Sequence, residues 1–152
     1  MRERLRRPRF WIAWGLFVGF AGMVLWLGGS HFSANHTAGY LGPLLQWLFP
    51  DMSAIDRYHL HVRTRKLAHS VEYGVLALLA FRAVYVSMEA VLVRIAGLAM
   101  VLVLLVAAID ESRQAFSPTR TGSVWDVGLD LLGAVLVLGF VLWWRRRPAE
   151  PA

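Results

Sequence analysis

Residues 10–29 form a run of twenty with no charge among them. A helix over this run, rising about 1.5 Å per residue, is roughly 30 Å long, which matches the hydrocarbon core of a bilayer. Three further apolar segments follow, at about 66–86, 90–109 and 127–144. Each of these carries an ionisable group near one end. Any one of the four could be the buried helix of a soluble protein. Four of them within 152 residues predict an all-α integral membrane protein. The expected form is a four-transmembrane-helix bundle in a single domain over 1–152. Composition agrees: 57% of residues are hydrophobic and 17% charged, whereas soluble domains hold about 45–50% and about 25%.

The absence of Cys excludes a disulfide framework, a thiolate nucleophile and Cys-based metal sites. The basic pI near 10.7 does not point to nucleic acid. A nucleic-acid binder spreads its cations over one solvated face, whereas most of these flank apolar runs at the two chain ends. They read as anchors to anionic lipid. The basic start and first apolar run resemble a signal peptide in outline. The run exceeds the usual length of about 7–15 residues, and Ser33-Ala34-Asn35 is a poor cleavage site, so an uncleaved anchor is expected.

Orientation follows from the Arg and Lys bias. With both termini cytoplasmic, the inner side holds ten basic residues against three acids, and the outer side six against seven. The expected location is the bacterial cytoplasmic membrane, multi-pass, with both ends inside. Trp11, Trp14, Trp143 and Trp144 then lie at the inner interface, and Trp26 and Trp125 near the outer one. Between the first two spans, Leu41, Leu44, Leu45 and Leu48 have helical spacing. Nine apolar residues cannot cross a bilayer as a helix, so this segment is expected to be an outer interfacial helix or a lid. Arg57, His59, His61, Arg63 and Arg65 follow as a polar, basic run. Gly15, Gly19 and Gly22 share a helical face. This small-residue pattern favours packing within the bundle over a dimer seam, and the oligomeric state is left open.

Every His and most acids lie on the expected outer side, several of them inside apolar segments. Such groups are costly in a bilayer and usually face the protein interior or water. Arg65, His69 and Glu72 share one helical face, as do Lys66, His69 and Tyr73. His69 and Glu72 are therefore neighbours, expected about 5–9 Å below a helix start near residue 66. Asp110 and Glu111 end the third apolar run, and Gln114 lies one turn beyond both. Arg113 and Phe116 follow, then Ser117-Pro118-Thr119-Arg120. Pro118 opposes further helix. Asp126 and Asp130 are one turn apart on the fourth segment, with Gly133 next on that face. Asp126 alone could cap a helix; Asp130 needs a partner, for which Arg120 and Arg113 are candidates. The plain alternative at each place is structural: a capped network, a polar helix end, a buried ion pair.

If these segments converge, Arg65, Lys66, Arg113 and Arg120 suit a phosphate. Asp110, Glu111, Gln114, Asp126 and Asp130 suit sugar hydroxyls or a divalent metal, and His69 can move a proton. No Ser-His-Asp spacing, phosphate loop or metalloprotease motif is present.

Three stretches resemble the VanZ-like family of small bacterial membrane proteins. They are Arg65-Lys66-Leu67-Ala68-His69-Ser70-Val71-Glu72-Tyr73, the segment Asp110 to Arg120, and Asp126-Val127-Gly128-Leu129-Asp130-Leu131-Leu132-Gly133. Ser30-His31-Phe32-Ser33 resembles an early segment of that family. Gly128 and Asp130 stand where many relatives have a bulkier residue and an Asn. The resemblance implies a bacterial envelope protein. The family takes its name from a factor linked to resistance to teicoplanin, a lipoglycopeptide that binds cell-wall precursor.

Two functions of different class follow. One is a binding module for an amphipathic anionic headgroup at the outer leaflet, either a lipid-linked sugar phosphate or a lipoglycopeptide. Its partner would be a membrane lipid or lipid-linked envelope precursor, with no nucleic acid involved. The other is an intramembrane hydrolase or transferase on such a lipid. There His69 is the general base, Glu72 orients it, and Glu111 with the other acids holds hydroxyls or metal. A purely structural bundle with buried ion pairs is the third alternative.

Overall fold

The computed structural model describes residues 8–29, 34–115 and 124–146, and these form five helices. They are α1 (Pro8–Leu27), α2 (Ala34–Leu48), α3 (Ala54–Ser87), α4 (Leu92–Ala115) and α5 (Val124–Arg146). Four are long and apolar enough to span a bilayer: Pro8–Leu27, Ala54–Ser87, Leu92–Ala115 and Val127–Arg146. The all-α, four-span expectation therefore holds, with one short helix between the first two spans.

α3 is the axis of the bundle and packs against each of the other four helices. Its inward stripe is Tyr73, Leu76, Ala77, Ala80, Phe81, Ala83 and Val84, all buried. This is the three-and-four spacing of one helical face. α1 supplies Ala13, Phe17, Ala21 and Val24. α4 supplies Ile95, Ala96, Ala99, Val103, Val106 and Ala107, and α5 supplies Ala134 and Leu138. So many alanines let helix axes approach closely, the packing mode of helices in lipid. Facing outward are Ile12, Leu16, Val18, Val101, Leu105, Val135, Leu136 and Phe140, each more than half exposed. An apolar exterior around an apolar core is what a lipid solvent permits and water does not.

Side-chain contacts fix the helix directions. Trp14 Nε1 donates to Ser87 Oγ at 2.9 Å, and the Arg145 guanidinium lies 5.1 Å from the centre of the Tyr85 ring. The start of α1 and the end of α5 thus meet the end of α3. At the opposite end, Arg113 Nη1 donates to the Leu25 carbonyl at 2.7 Å, and Ser70 Oγ donates to the Leu129 carbonyl at 3.0 Å.

α3 departs from expectation at its start. It begins at Ala54, not near residue 66, so the run Arg57 to Arg65 is its first third. Ser53 caps it: Oγ accepts from Asp56 N–H at 3.1 Å and donates to Asp56 Oδ2 at 2.6 Å. Thirty-four residues make a rod of about 51 Å. His69 therefore lies about 22 Å from the helix start, not within its first two turns. α2 rests on the extra length, with Thr37 Oγ1 3.3 Å from His61 Nε2. Its Tyr40, Leu41, Leu44, Trp47 and Leu48 are exposed. That outward apolar face fits the interfacial reading better than a lid closed on the bundle.

The glycines of α1 also depart from expectation. A Cβ built on Gly15, Gly19 or Gly22 meets nothing within 4 Å. The packed face of α1 is Ala13-Phe17-Ala21-Val24, and the glycines point away from the bundle.

Candidate functional site

Tyr73, fully buried on α3, is the centre of the candidate site. Its electrostatic neighbours are Asp110, Asp130, Glu72 and Glu111, drawn from α3, α4 and α5. The structure therefore brings together Glu72, Tyr73, Asp110, Glu111 and Asp130, which the sequence grouped only by segment.

Asp110 is the most buried acid of the group at 3% exposure. Gln114 Nε2, one turn on, donates to its Oδ2 at 2.7 Å. Oδ1 is buried and has no hydrogen-bond partner among the described residues. The carboxylate fits because residue 28, just past α1, is glycine. A Cβ there would fall 2.8 Å from Asp110 Cγ and closer still to Oδ1. Gly28 thus makes room for the acid, a contribution the sequence reading missed.

On α3, His69 Nδ1 and Glu72 Oε2 are 3.4 Å apart, both side chains about three-quarters covered. The expected His–Glu adjacency is therefore present. Arg65 lies on the same side, close enough for its charge to act on Glu72. Lys66 is exposed nearby on the same helix. Arg113 is exposed and bound to the Leu25 carbonyl. It ties α4 to the end of α1, a cross-link that sequence spacing alone does not reveal. Arg120 lies outside the described residues, as does all of Phe116 to Arg120. Asp126 belongs to α5, but its side chain lies outside them too, as do Ser30 to Ser33 and the Trp125 side chain.

The close approach of α3 and α5 sets the third wall. A Cβ on Gly133 would collide with the Ser70 carbonyl, its carbon only 2.8 Å away. Gly74 faces the same crossing: a Cβ built on it would lie 3.0 Å from Val137 Cγ2 and 3.4 Å from the Gly133 carbonyl oxygen. Ser70 Oγ bridges from Leu129 O to Lys66 O. Gly133, about one turn after Asp130, thus lets α5 close on α3 beside Ser70. Among the described residues, no three His, Asp or Glu side chains are grouped to hold a metal ion.

Four apolar spans around a polar knot at one end define a multi-pass membrane protein. The knot is built from the stretches that resemble one family, and the family comparison agrees. The model of the VanZ/LLP1 family matches residues 12–145, and the chain belongs to that family. Searches of curated proteins and of solved structures each return no significant match.

Proposed function

We propose that this VanZ/LLP1 protein recognises the anionic headgroup of an amphipathic envelope molecule at the Tyr73 end of the bundle. A lipid-linked sugar phosphate or a lipoglycopeptide has the required chemistry. The observation that carries this is Asp110 Oδ1: a buried acceptor with no donor among the described residues, amid groups from three helices. Leaving such an acceptor unpaired costs about 1–3 kcal/mol, and a ligand hydroxyl would remove that cost. Arg65 and Lys66 offer the phosphate contacts, and Arg120 is a further anchor. Asp126 and Asp130 serve hydroxyls.

The proposed setting is a bacterial cytoplasmic membrane with this end outward and both termini cytoplasmic, as the basic flanks favour. Cys introduced at Ala34 should then react with an impermeant maleimide in intact cells, and Cys at Ala149 only after lysis. Labelling of the Ala149 variant in intact cells would reverse the topology.

One contact favours a second reading, in which the same site hydrolyses or transfers the headgroup. His69 lies 3.4 Å from Glu72 Oε2, and a base oriented by a carboxylate is a catalytic arrangement. The test is phosphate or sugar release from a lipid-linked sugar phosphate by reconstituted protein. For a binding module, wild type retains the lipid without release. For an enzyme, release occurs and His69→Ala abolishes it while binding persists. Neither retention nor release would leave the structural bundle as the correct reading.

A further inference from the structure

The opposite end of the bundle carries a second feature that the Tyr73 site does not use. A groove of about 570 Å³ opens between α3 and α5, with Arg9 of α1 at its rim. Leu78, Phe81, Tyr85, Phe140 and Trp144 supply its apolar and aromatic walls. Arg9, Arg82 and Arg145 supply its charge, one from each of three helices, and among the described residues no Asp or Glu lines it. Glu89 belongs to the adjoining hollow, which shares Arg9 and Tyr85 with the groove.

Loose surface arginines would be a weaker sign. Here Arg145 is held across the helix boundary, its guanidinium 5.1 Å from the Tyr85 ring centre. Stacking on an aromatic face leaves the guanidinium edge free to donate. Phe140, Trp143 and Trp144 cluster beside it, with Phe140 and Trp144 ring centres 5.9 Å apart. Amphipathic aromatics belong at headgroup depth. The groove therefore runs from an apolar span to a cationic rim over about the last three turns of α3.

We propose that this groove is a binding site for an anionic diacyl phospholipid of the surrounding bilayer. The phosphodiester lies among Arg9, Arg82 and Arg145, and one acyl chain lies against Leu78, Phe81 and Phe140. Charge selects the occupant: three cations, with no acid among the described lining residues, reject a zwitterionic headgroup's ammonium and accept a net anion. The apolar walls require a lipid, since a free phosphate would leave them uncovered. This site is separate from the proposed headgroup site at the Tyr73 end, and either can fail without the other.

The test is lipid selectivity in reconstituted bilayers, read from spin-labelled phosphatidylglycerol against spin-labelled phosphatidylcholine at 0.5 M NaCl. At that salt the Debye length is only about 4 Å, so diffuse attraction to exposed charges is largely screened. Wild type should keep a preference of about fivefold for phosphatidylglycerol, the scale of one cation beside an anionic headgroup, which survives this salt only where the two are in contact within the screening length. Arg82→Gln should bring it near unity without changing thermal stability. Arg146→Gln, a cation that does not line the groove, should leave it intact, and 10 mM inorganic phosphate should not compete. The proposal is overturned if wild type shows no preference at high salt. It is also overturned if Arg146→Gln lowers the preference as much as Arg82→Gln, or if inorganic phosphate abolishes it.

Discussion

Gly133→Ala is expected to destabilise the bundle more than any other single-methyl addition in the described spans. The new Cβ would meet the backbone carbonyl of Ser70 with its carbon 2.8 Å away. A side chain could rotate aside, but a carbonyl inside a helix cannot. α3 and α5 would have to separate, breaking the Ser70 Oγ bond to Leu129 O and loosening Gly74 against Val137. Overpacking typically costs 1–3 kcal/mol, and a backbone obstacle places this case at about 3 kcal/mol. Thermal unfolding in detergent should show a Tm lower by several degrees. Gly139→Ala on the same helix, where a Cβ meets nothing within 4 Å, should match wild type. Equal Tm for the two variants would contradict the crossing geometry.

Gly28→Ala should come second, at about 2 kcal/mol, because its methyl group would enter the space of the Asp110 carboxylate. The carboxylate would have to turn, losing the 2.7 Å bond from Gln114. Asp110→Ala alone should cost only about 1 kcal/mol, since losing the bond from the half-buried Gln114 is partly offset by removing the unpaired Oδ1. The two changes should not add: with Asp110 shortened, the methyl at residue 28 finds space, and the double variant should be nearly as stable as Asp110→Ala. Residues in contact couple in this way, by about 0.5–3 kcal/mol. Strict additivity in a double-mutant cycle of unfolding free energies would separate Gly28 from Asp110.

These two glycines also mark the limits of what the sequence shows. The four spans were readable because lipid demands uninterrupted apolar runs, and the charge-free stretch 10–29 meets that demand alone. Asp110 with Gln114, and His69 with Glu72, were readable because helical spacing makes them neighbours whatever surrounds the helix. The start of α3 was not found by hydropathy, since residues 57–66 are polar. The signal lay in Ser53 and Asp56, a serine with an acid three residues on, which is a capping pattern. Gly15, Gly19 and Gly22 misled because a small-residue face has the same period whether it meets a helix or lipid. Ala13, Phe17, Ala21 and Val24 repeat just as regularly, and theirs is the face that packs in the core. Gly28 makes room for Asp110, and Arg113 reaches the Leu25 carbonyl, only because the end of α1 stands beside α4, a tertiary fact no local pattern carries.

Headgroup recognition at the Tyr73 end is tested most directly by native mass spectrometry of protein released from its own membranes. Wild type should carry an adduct whose fragmentation yields a sugar-bearing headgroup, which sets it apart from the diacyl phospholipid of the groove at the other end. Arg65→Gln combined with Lys66→Gln should lose that adduct at unchanged Tm, because exposed or half-covered cations add little to the stability of a bundle packed on alanines. Arg82→Gln, at the other end, should retain it. A wild-type protein without such an adduct, or an adduct equally abundant in the Arg65–Lys66 double variant, would contradict recognition at this site.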